Sequence, residues 1–135
     1  MAGNAPLWTH QAAFEASPVS ASQARAFVTE GLLQHDLAYL VEPVRLVTSE
    51  LATNAVLHAH TAFAVTLEGM DHVVLLTVRD DSLALPERRA AQSTDWTGRG
   101  LEIVEIVSHR WGYRTDASGA KQVWASFALR PPNEF

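Results

Sequence analysis

Residues 42–60 form the segment EPVRLVTSELATNAVLHAH. At about 100° per residue, the rotation of an α-helix, most of its apolar residues fall within a band of roughly 180°. This spacing predicts one helix from Glu42 to His60. Three polar residues at positions i, i+4 and i+8 also fall inside the band: Glu50, Asn54 and His58. The apolar members of the predicted band are Val44, Leu46, Val47, Leu51, Ala55 and Leu57, and Val56 falls outside it.

Polar side chains on this predicted apolar face indicate a functional site. A carboxylate or amide that faces a core costs several kcal/mol unless it is hydrogen bonded, bound to a metal or open to a cleft. A structural alternative is that Glu50 pairs with an arginine or a backbone amide and that Asn54 bridges groups within the core. For His58 we expect a packing role. The trio lacks the nitrogen and sulfur ligands typical of zinc, whereas the oxygens of Glu50 and Asn54 suit a hard cation such as Mg²⁺.

The composition of the chain argues against several classes of protein. A chain of 135 residues that is 47% hydrophobic predicts a single globular domain over residues 1–135, with loose tails at 1–6 and 131–135. A net charge of −5 argues against direct nucleic-acid binding, which requires a basic face. The chain has no cysteine, so disulfide and thiol chemistry are excluded. Neither a membrane span nor a signal peptide is predicted, so we expect a cytoplasmic protein.

The remaining segments predict the other elements of the fold. Bulky residues indicate a short strand over Leu7–Phe14, and a capping-box pattern at Ser20 opens a helix over Ser20–Gln34. Alternating apolar residues predict a hairpin with strands over Phe63–Leu67 and Val73–Val78. The second of these strands is almost wholly apolar, so we expect it in the middle of the sheet with both faces nearly covered.

The C-terminal half predicts a loop, a helix and a second hairpin. Residues 83–97 have no periodicity, which is typical of a functional flap or a disordered loop. A short apolar helix is predicted over 101–107, and a closing hairpin has strands over Trp111–Arg114 and Gln122–Leu129. Together, the predicted helices and strands indicate an α+β protein that forms a two-layer α/β sandwich. It has a mixed, mainly antiparallel sheet of about five strands, with about three helices on one face.

Two loops carry further candidate site residues. Gly98-Arg99-Gly100 enters the predicted helix at 101–107, and glycines at a helix start let backbone N–H groups approach an anion. Such a glycine pair is also common at ordinary helix entries. Asp80 ends a strand, where an aspartate is commonly a turn or cap residue but also accepts hydrogen bonds from an exocyclic amine.

Taken in order, these segments resemble the conserved boxes of the histidine-kinase-like (GHKL) ATPases, which have the Bergerat fold. Residues 50–59, ELATNAVLHA, look like the N-box of that family. Residues 78–82, VRDDS, resemble its Asp-x-Gly box, and residues 97–101, TGRGL, are similar to the Gly-x-Gly box that closes the ATP lid. The spacing of the boxes matches best the anti-sigma-factor serine/threonine protein kinases. The resemblance covers residues 20–129.

This resemblance implies a role for each matching residue. Asn54 would coordinate the Mg²⁺ that bridges the ATP phosphates, and Glu50 would be the general base for an incoming hydroxyl. Asp80 would accept the adenine amino group. The remaining nucleotide-binding positions implied by the boxes are Ser82, Gly98, Arg99, Gly100 and Leu101.

The resemblance also implies partners for the chain. They are a sigma factor, an antagonist protein that receives the γ-phosphate, and a second copy of the chain in a homodimer. Two departures from the family pattern favour an alternative function. Ser82 replaces a glycine beside adenine, and Gln122 occupies a position where a threonine often assists adenine binding. A nucleotide-independent module that sequesters a transcription-factor partner is therefore the second hypothesis. The third is a structural domain in which Glu50 only satisfies a neighbour.

Overall fold

The computed structural model describes residues 5–80 and 108–129, which form an α+β fold. Its regular elements include two α-helices and five strands, with the central helix prolonged by a π-helical segment. They are β1 (Trp8–Phe14), α1 (Ser20–Gln34), a 3₁₀ turn (Ala38–Leu40), α2 (Val41–Thr53), the π-helical segment (Asn54–Ala59), β2 (Phe63–Gly69), β3 (Val73–Asp80), β4 (Arg110–Thr115) and β5 (Lys121–Ala128).

The strands form one sheet in the order β1-β2-β3-β5-β4, and every neighbouring pair is antiparallel. The predicted mixed sheet is therefore wrong for the described strands. The prediction that β3 lies in the middle of the sheet is confirmed. Its coverage differs from the prediction, because buried and half-buried residues alternate along β3. The helices contact one face of the sheet, so the side chains on the other face keep partial contact with solvent.

Helix α1 has the predicted bounds, but its N-terminus is not capped as predicted. The residue before it, Val19, occupies the N-cap position, and its side chain makes no capping hydrogen bond. The Ser20 hydroxyl instead donates to the carbonyl oxygen of Glu15 at 2.7 Å, so the predicted capping box is wrong. This bond ties the loop after β1 to the helix start. The buried face of α1 then packs against α2 through residues that include Ala24, Val28 and Leu32.

The buried stripe of α2 and the π-helical segment is rotated from the predicted one. Leu46 and Leu57, predicted to be inside, are 42% and 53% exposed, whereas Val56 is 8% exposed. In a π-helical segment each turn takes more than 3.6 residues, so Val56 turns less far and joins the core. The stripe is centred on Leu51 and Ala55, and Glu50 and Asn54 lie at its margin, where both are half-buried.

The closing hairpin is confirmed, with β4 and β5 each beginning one residue earlier than predicted. Its turn is held by hydrogen bonds between Asp116 and both Gly119 and Ala120, and Gly119 has a φ of 92°, which favours glycine. The helix count differs from the prediction: the described residues contain two α-helices. The third predicted helix, 101–107, and the predicted flap, 83–97, lie outside the described residues. Within residues 5–80 and 108–129, no helix has the length and apolar character that a membrane span requires.

Candidate functional site

Asn54 is one of three described residues, with Thr48 and Thr61, that have a buried side-chain oxygen without a hydrogen-bond partner. It is the first residue of the π-helical segment, at the point where the regular α-helical bonding of α2 ends. Its Oδ1 atom is buried and has no hydrogen-bond partner among the described residues. Buried polar atoms in proteins nearly always have a partner, so such an oxygen is consistent with a site for a cation or another donor. π-helical segments also occur frequently at functional sites.

Glu50 lies one helical turn before Asn54, in the last turn of α2. The two side chains therefore project from neighbouring positions on one side of the helix. Both are half-buried, at the margin between the core and the exposed side chains of Leu46 and Leu57. The predicted pairing of an acid and an amide on one side of this helix is thus observed. It lies at the edge of the apolar face and not in its middle.

The C-terminal end of the central helix and the C-terminal end of β3 lie at the same end of the sheet. The π-helical segment finishes at Ala59, and His60 adopts a left-handed conformation with a φ of 58° that reverses the chain. Two further residues lead into β2, whose first residue, Phe63, is directly opposite Asp80. Asp80 therefore lies at the end of the sheet that the C-terminal end of the helix reaches.

Asp80 is buried beside a lysine that sequence reasoning missed. The side chains of Asp80 and Lys121 are 5% and 9% exposed, and the Lys121 Nζ atom is 3.6 Å from the Asp80 Oδ2 atom. The two residues are direct partners in the β3–β5 register, so their side chains lie on the same, helix-covered face. The predicted strand began at Gln122. The β3–β5 register is what places Lys121 opposite Asp80, and the sequence pattern alone does not determine that register.

Gln122, which follows Lys121 on β5, lies on the opposite face of the sheet from Asp80. Alternation along β5 turns it toward the open face of the sheet. There its Oε1 atom accepts a hydrogen bond from Arg114 at 3.1 Å, and its Nε2 atom donates to Asp116 at 3.4 Å. The residue that occupies the position opposite Asp80 is Lys121.

A second ion pair occupies the open face at the same end of β3. Arg79 Nε donates to Asp116 Oδ2 at 2.8 Å, and Arg79 Nη2 donates to Ser118 at 3.1 Å. Hydrogen bonds from the Ser118 hydroxyl and from Arg79 hold the pKa of the Asp116 carboxyl well below its usual range. The backbone N–H of Ala120 also donates to this carboxylate. This cluster fastens the β4–β5 turn to β3.

Several predicted site residues lie outside the described ranges: Ser82, Gly98, Arg99, Gly100 and Leu101. The side chain of His58 is outside them as well. Among residues 5–80 and 108–129, no three His, Asp or Glu side chains cluster as metal ligands. A cation at this edge would therefore take its protein contact from the Asn54 oxygen, with other oxygens from its ligand and from water, as Mg²⁺ commonly does.

Two grooves that are lined by described residues lie elsewhere on the molecule. Both lie on the outer surface of α1 and α2, where Arg25 and Arg45 line each of them, and their volumes are about 650 and 460 Å³. Neither groove contains Glu50, Asn54 or Asp80.

No model of a known protein family matches this chain, and no curated protein matches its sequence.

Proposed function

We propose that this protein is an ATP-binding regulatory serine/threonine protein kinase of the anti-sigma-factor type, built on the two-layer Bergerat fold. The observation that carries this proposal is the buried Asn54 Oδ1 atom, which lacks a partner among the described residues. An amide oxygen kept in this state suits a hard cation that prefers oxygen ligands. Two further observations support the proposal. The sequence boxes occur in the family's order, and Asp80 and the C-terminal end of the central helix lie at the same end of the sheet.

Each residue has one task in this proposal. Asn54 holds Mg²⁺, which when bound neutralises charge on the triphosphate of ATP. Glu50 would accept the proton of the hydroxyl that attacks the γ-phosphorus, while the bond from this phosphorus to the bridging oxygen breaks and ADP leaves. Asp80 accepts a hydrogen bond from the adenine amino group. By the resemblance, Gly98, Arg99 and Gly100 would bind the phosphates, and Ser82 and Leu101 would be the other nucleotide-binding positions. Catalysis then consists mainly of positioning and charge neutralisation.

The partners follow from the resemblance. The substrate is a serine or threonine of an antagonist protein, and the chain binds a sigma factor in its other functional state. It acts in the cytoplasm as a homodimer. We expect the chain itself to bind neither nucleic acid nor a membrane directly.

Titration calorimetry with Mg-ATP tests this function. We expect a saturable binding heat for the parent protein and at least a tenfold weaker affinity for Asn54→Ala, because one metal ligand is lost. Leu57→Ala is the matched control, since this exposed residue lies in the same π-helical segment and has no role in the site. The absence of binding heat in a folded parent protein would contradict the kinase proposal.

The Asp80–Lys121 pair favours a second candidate function, a binding module that does not use nucleotide. A carboxylate already neutralised by a buried ammonium has less need of an adenine amino group. Such a module would sequester a transcription-factor partner without ATP. Affinity capture of a sigma factor from extract of the source cells, with and without ATP, separates the candidates. Capture that requires ATP contradicts the module, and equal capture in both conditions supports it.

A further inference from the structure

The two edge strands of the described sheet differ in how they are protected against pairing with another chain. An edge strand presents a row of backbone N–H and C=O groups that its own sheet does not use, and charged side chains or proline commonly protect it. β4 carries two exposed arginines, Arg110 and Arg114. β1 contains neither a charged residue nor a proline over Trp8–Phe14. The β1 edge therefore lacks two features that discourage strand pairing.

The β1 edge is also regular over its whole length. Trp8–Phe14 pairs residue by residue with Phe63–Gly69 of β2, without a bulge that would bend the strand. In an antiparallel pair, every second residue directs both of its backbone groups away from the partner strand. Because β2 is the only described strand that pairs with β1, these outward groups form a straight template for a further strand.

The side chains of β1 are held in place by the rest of the domain. The imidazole of His35, which follows α1, stacks on the Trp8 indole with ring centroids 3.9 Å apart, and its Nε2 atom is 3.0 Å from His10 Nε2. At the other end of the strand, the ring of Phe14 meets that of Phe27 edge to face at 6.1 Å. A surface that is ordered before binding loses less conformational entropy when a partner binds.

The sequence of β1 is complementary to itself in antiparallel pairing. A two-fold axis at Gln11, the middle residue of the strand, sets Trp8 opposite Phe14 of a second copy. Trp8 and Phe14 are half-buried and pack against the core, so this cross-strand contact would cover aromatic surface that the single chain leaves in water. On the open face Gln11 would meet Gln11 of the second copy, and no like charges would face each other.

We infer that two copies of this chain associate through β1, so that their five-stranded sheets join into one continuous antiparallel sheet. A second copy fits this edge because the strand is regular, uncharged and matched to itself about its centre. The outward N–H and C=O groups of each copy then pair with those of the other. The proposed function includes a homodimer without naming its surface. This inference names one, from a sheet edge whose features are independent of ATP binding.

Charge variants at the two-fold axis test the pairing. The side chain of Gln11 is exposed, so Gln11→Lys and Gln11→Glu should both keep the fold. Each variant alone would set two like charges opposite each other, and sedimentation equilibrium should give a dimer affinity at least about tenfold weaker than that of the parent protein. An equimolar mixture of the two variants pairs opposite charges and should recover the lost affinity.

Ala128→Lys is the matched control variant. It adds the same charge at an exposed position of β5, which is an interior strand of the sheet. We expect it to dimerise as the parent protein does. Circular dichroism of every variant establishes that a change in association does not come from unfolding.

The possible failures are distinguishable. A parent protein that stays monomeric at the highest concentration used for calorimetry overturns the inference and leaves the β1 edge to a segment of another protein. A dimer that neither Gln11 variant weakens, or a mixture that recovers no affinity, also overturns it. Binding of Mg-ATP is measured on the same samples. A monomer that binds Mg-ATP counts against the β1 pairing but not against ATP binding, whereas a β1-paired dimer that binds no Mg-ATP contradicts the kinase proposal alone.

Discussion

Arg79 and Asp80 are neighbours at the end of β3, yet their ion pairs lie in different surroundings. Arg79 points to the open face and meets Asp116 across the β4–β5 turn, with side chains 42% and 25% exposed. Asp80 points under the helices and meets Lys121, with side chains 5% and 9% exposed. The Arg79 pair has hydrogen-bond geometry at 2.8 Å, whereas the Asp80 pair is separated by 3.6 Å. The better geometry thus belongs to the pair that is exposed to solvent.

This difference separates two uses of charge at one end of a sheet. On the open face, water and salt screen the pair, and its hydrogen bonds to Ser118 fasten a turn. On the covered face, both side chains are largely removed from water, so the loss of one partner leaves the other as an uncompensated buried charge. Loss of one partner should therefore cost more on the covered face than on the open face.

Removal of one partner of the covered pair should have the largest effect. Asp80→Ala leaves the Lys121 ammonium in the core without its carboxylate, and we expect the free energy of unfolding to fall by about 3–5 kcal/mol. Urea denaturation monitored by circular dichroism measures it. Arg79→Ala is the control on the open face and should destabilise the protein much less. A loss for Asp80→Ala no greater than for the control would contradict the contrast between the two faces.

Packing on the open face gives the next largest effect. Gly112 lies directly opposite Trp124, and a Cβ atom at Gly112 would be 2.8 Å from the indole Cζ2 atom. Gly112→Ala should therefore lower the free energy of unfolding by about 1–3 kcal/mol, because the indole must move. The same substitution in a Trp124→Val background should cost much less. Equal losses in the two backgrounds would show that the indole is not the cause.

The smallest effect concerns the acid dependence of the exposed pair. Because the pKa of Asp116 is lowered in the folded state, its contribution to stability is present above the unfolded pKa, near 3.9, and is lost as the pH falls further. The stability advantage of the parent over Asp116→Asn should therefore be greatest near neutral pH and shrink below about pH 4. Urea titrations between pH 7 and pH 3 measure the advantage. An advantage that grows in acid would contradict the assignment.

Much of this architecture could be predicted from local patterns. The bounds of α1 and the central place of β3 followed from apolar spacing, because one face of each element is buried in the core. The acid and the amide of the central helix were recognised as neighbours for the same reason. Such patterns depend on residues close in sequence.

The remaining errors arose where long-range geometry decides the structure. The π-helical segment that begins at Asn54 changes the directions in which the following side chains point around the helix axis. No local residue pattern predicted this segment. Lys121 was missed because its meaning depends on the β3–β5 register, in which a shift of one residue exchanges the two faces of a strand.

The proposed kinase function requires that the buried oxygen of Asn54 binds a magnesium–triphosphate group. The most direct test measures the thermal unfolding of the parent protein and of Asn54→Ala with ATP alone, Mg²⁺ alone and both together. At a concentration one hundred times its dissociation constant, a ligand stabilises the folded state by about 2.7 kcal/mol, which raises the Tm by several degrees. We predict this rise for the parent protein only with both ligands, and at most a small rise for Asn54→Ala. An unchanged Tm of the parent protein with saturating Mg-ATP, or an equal rise in the variant, would contradict the claim.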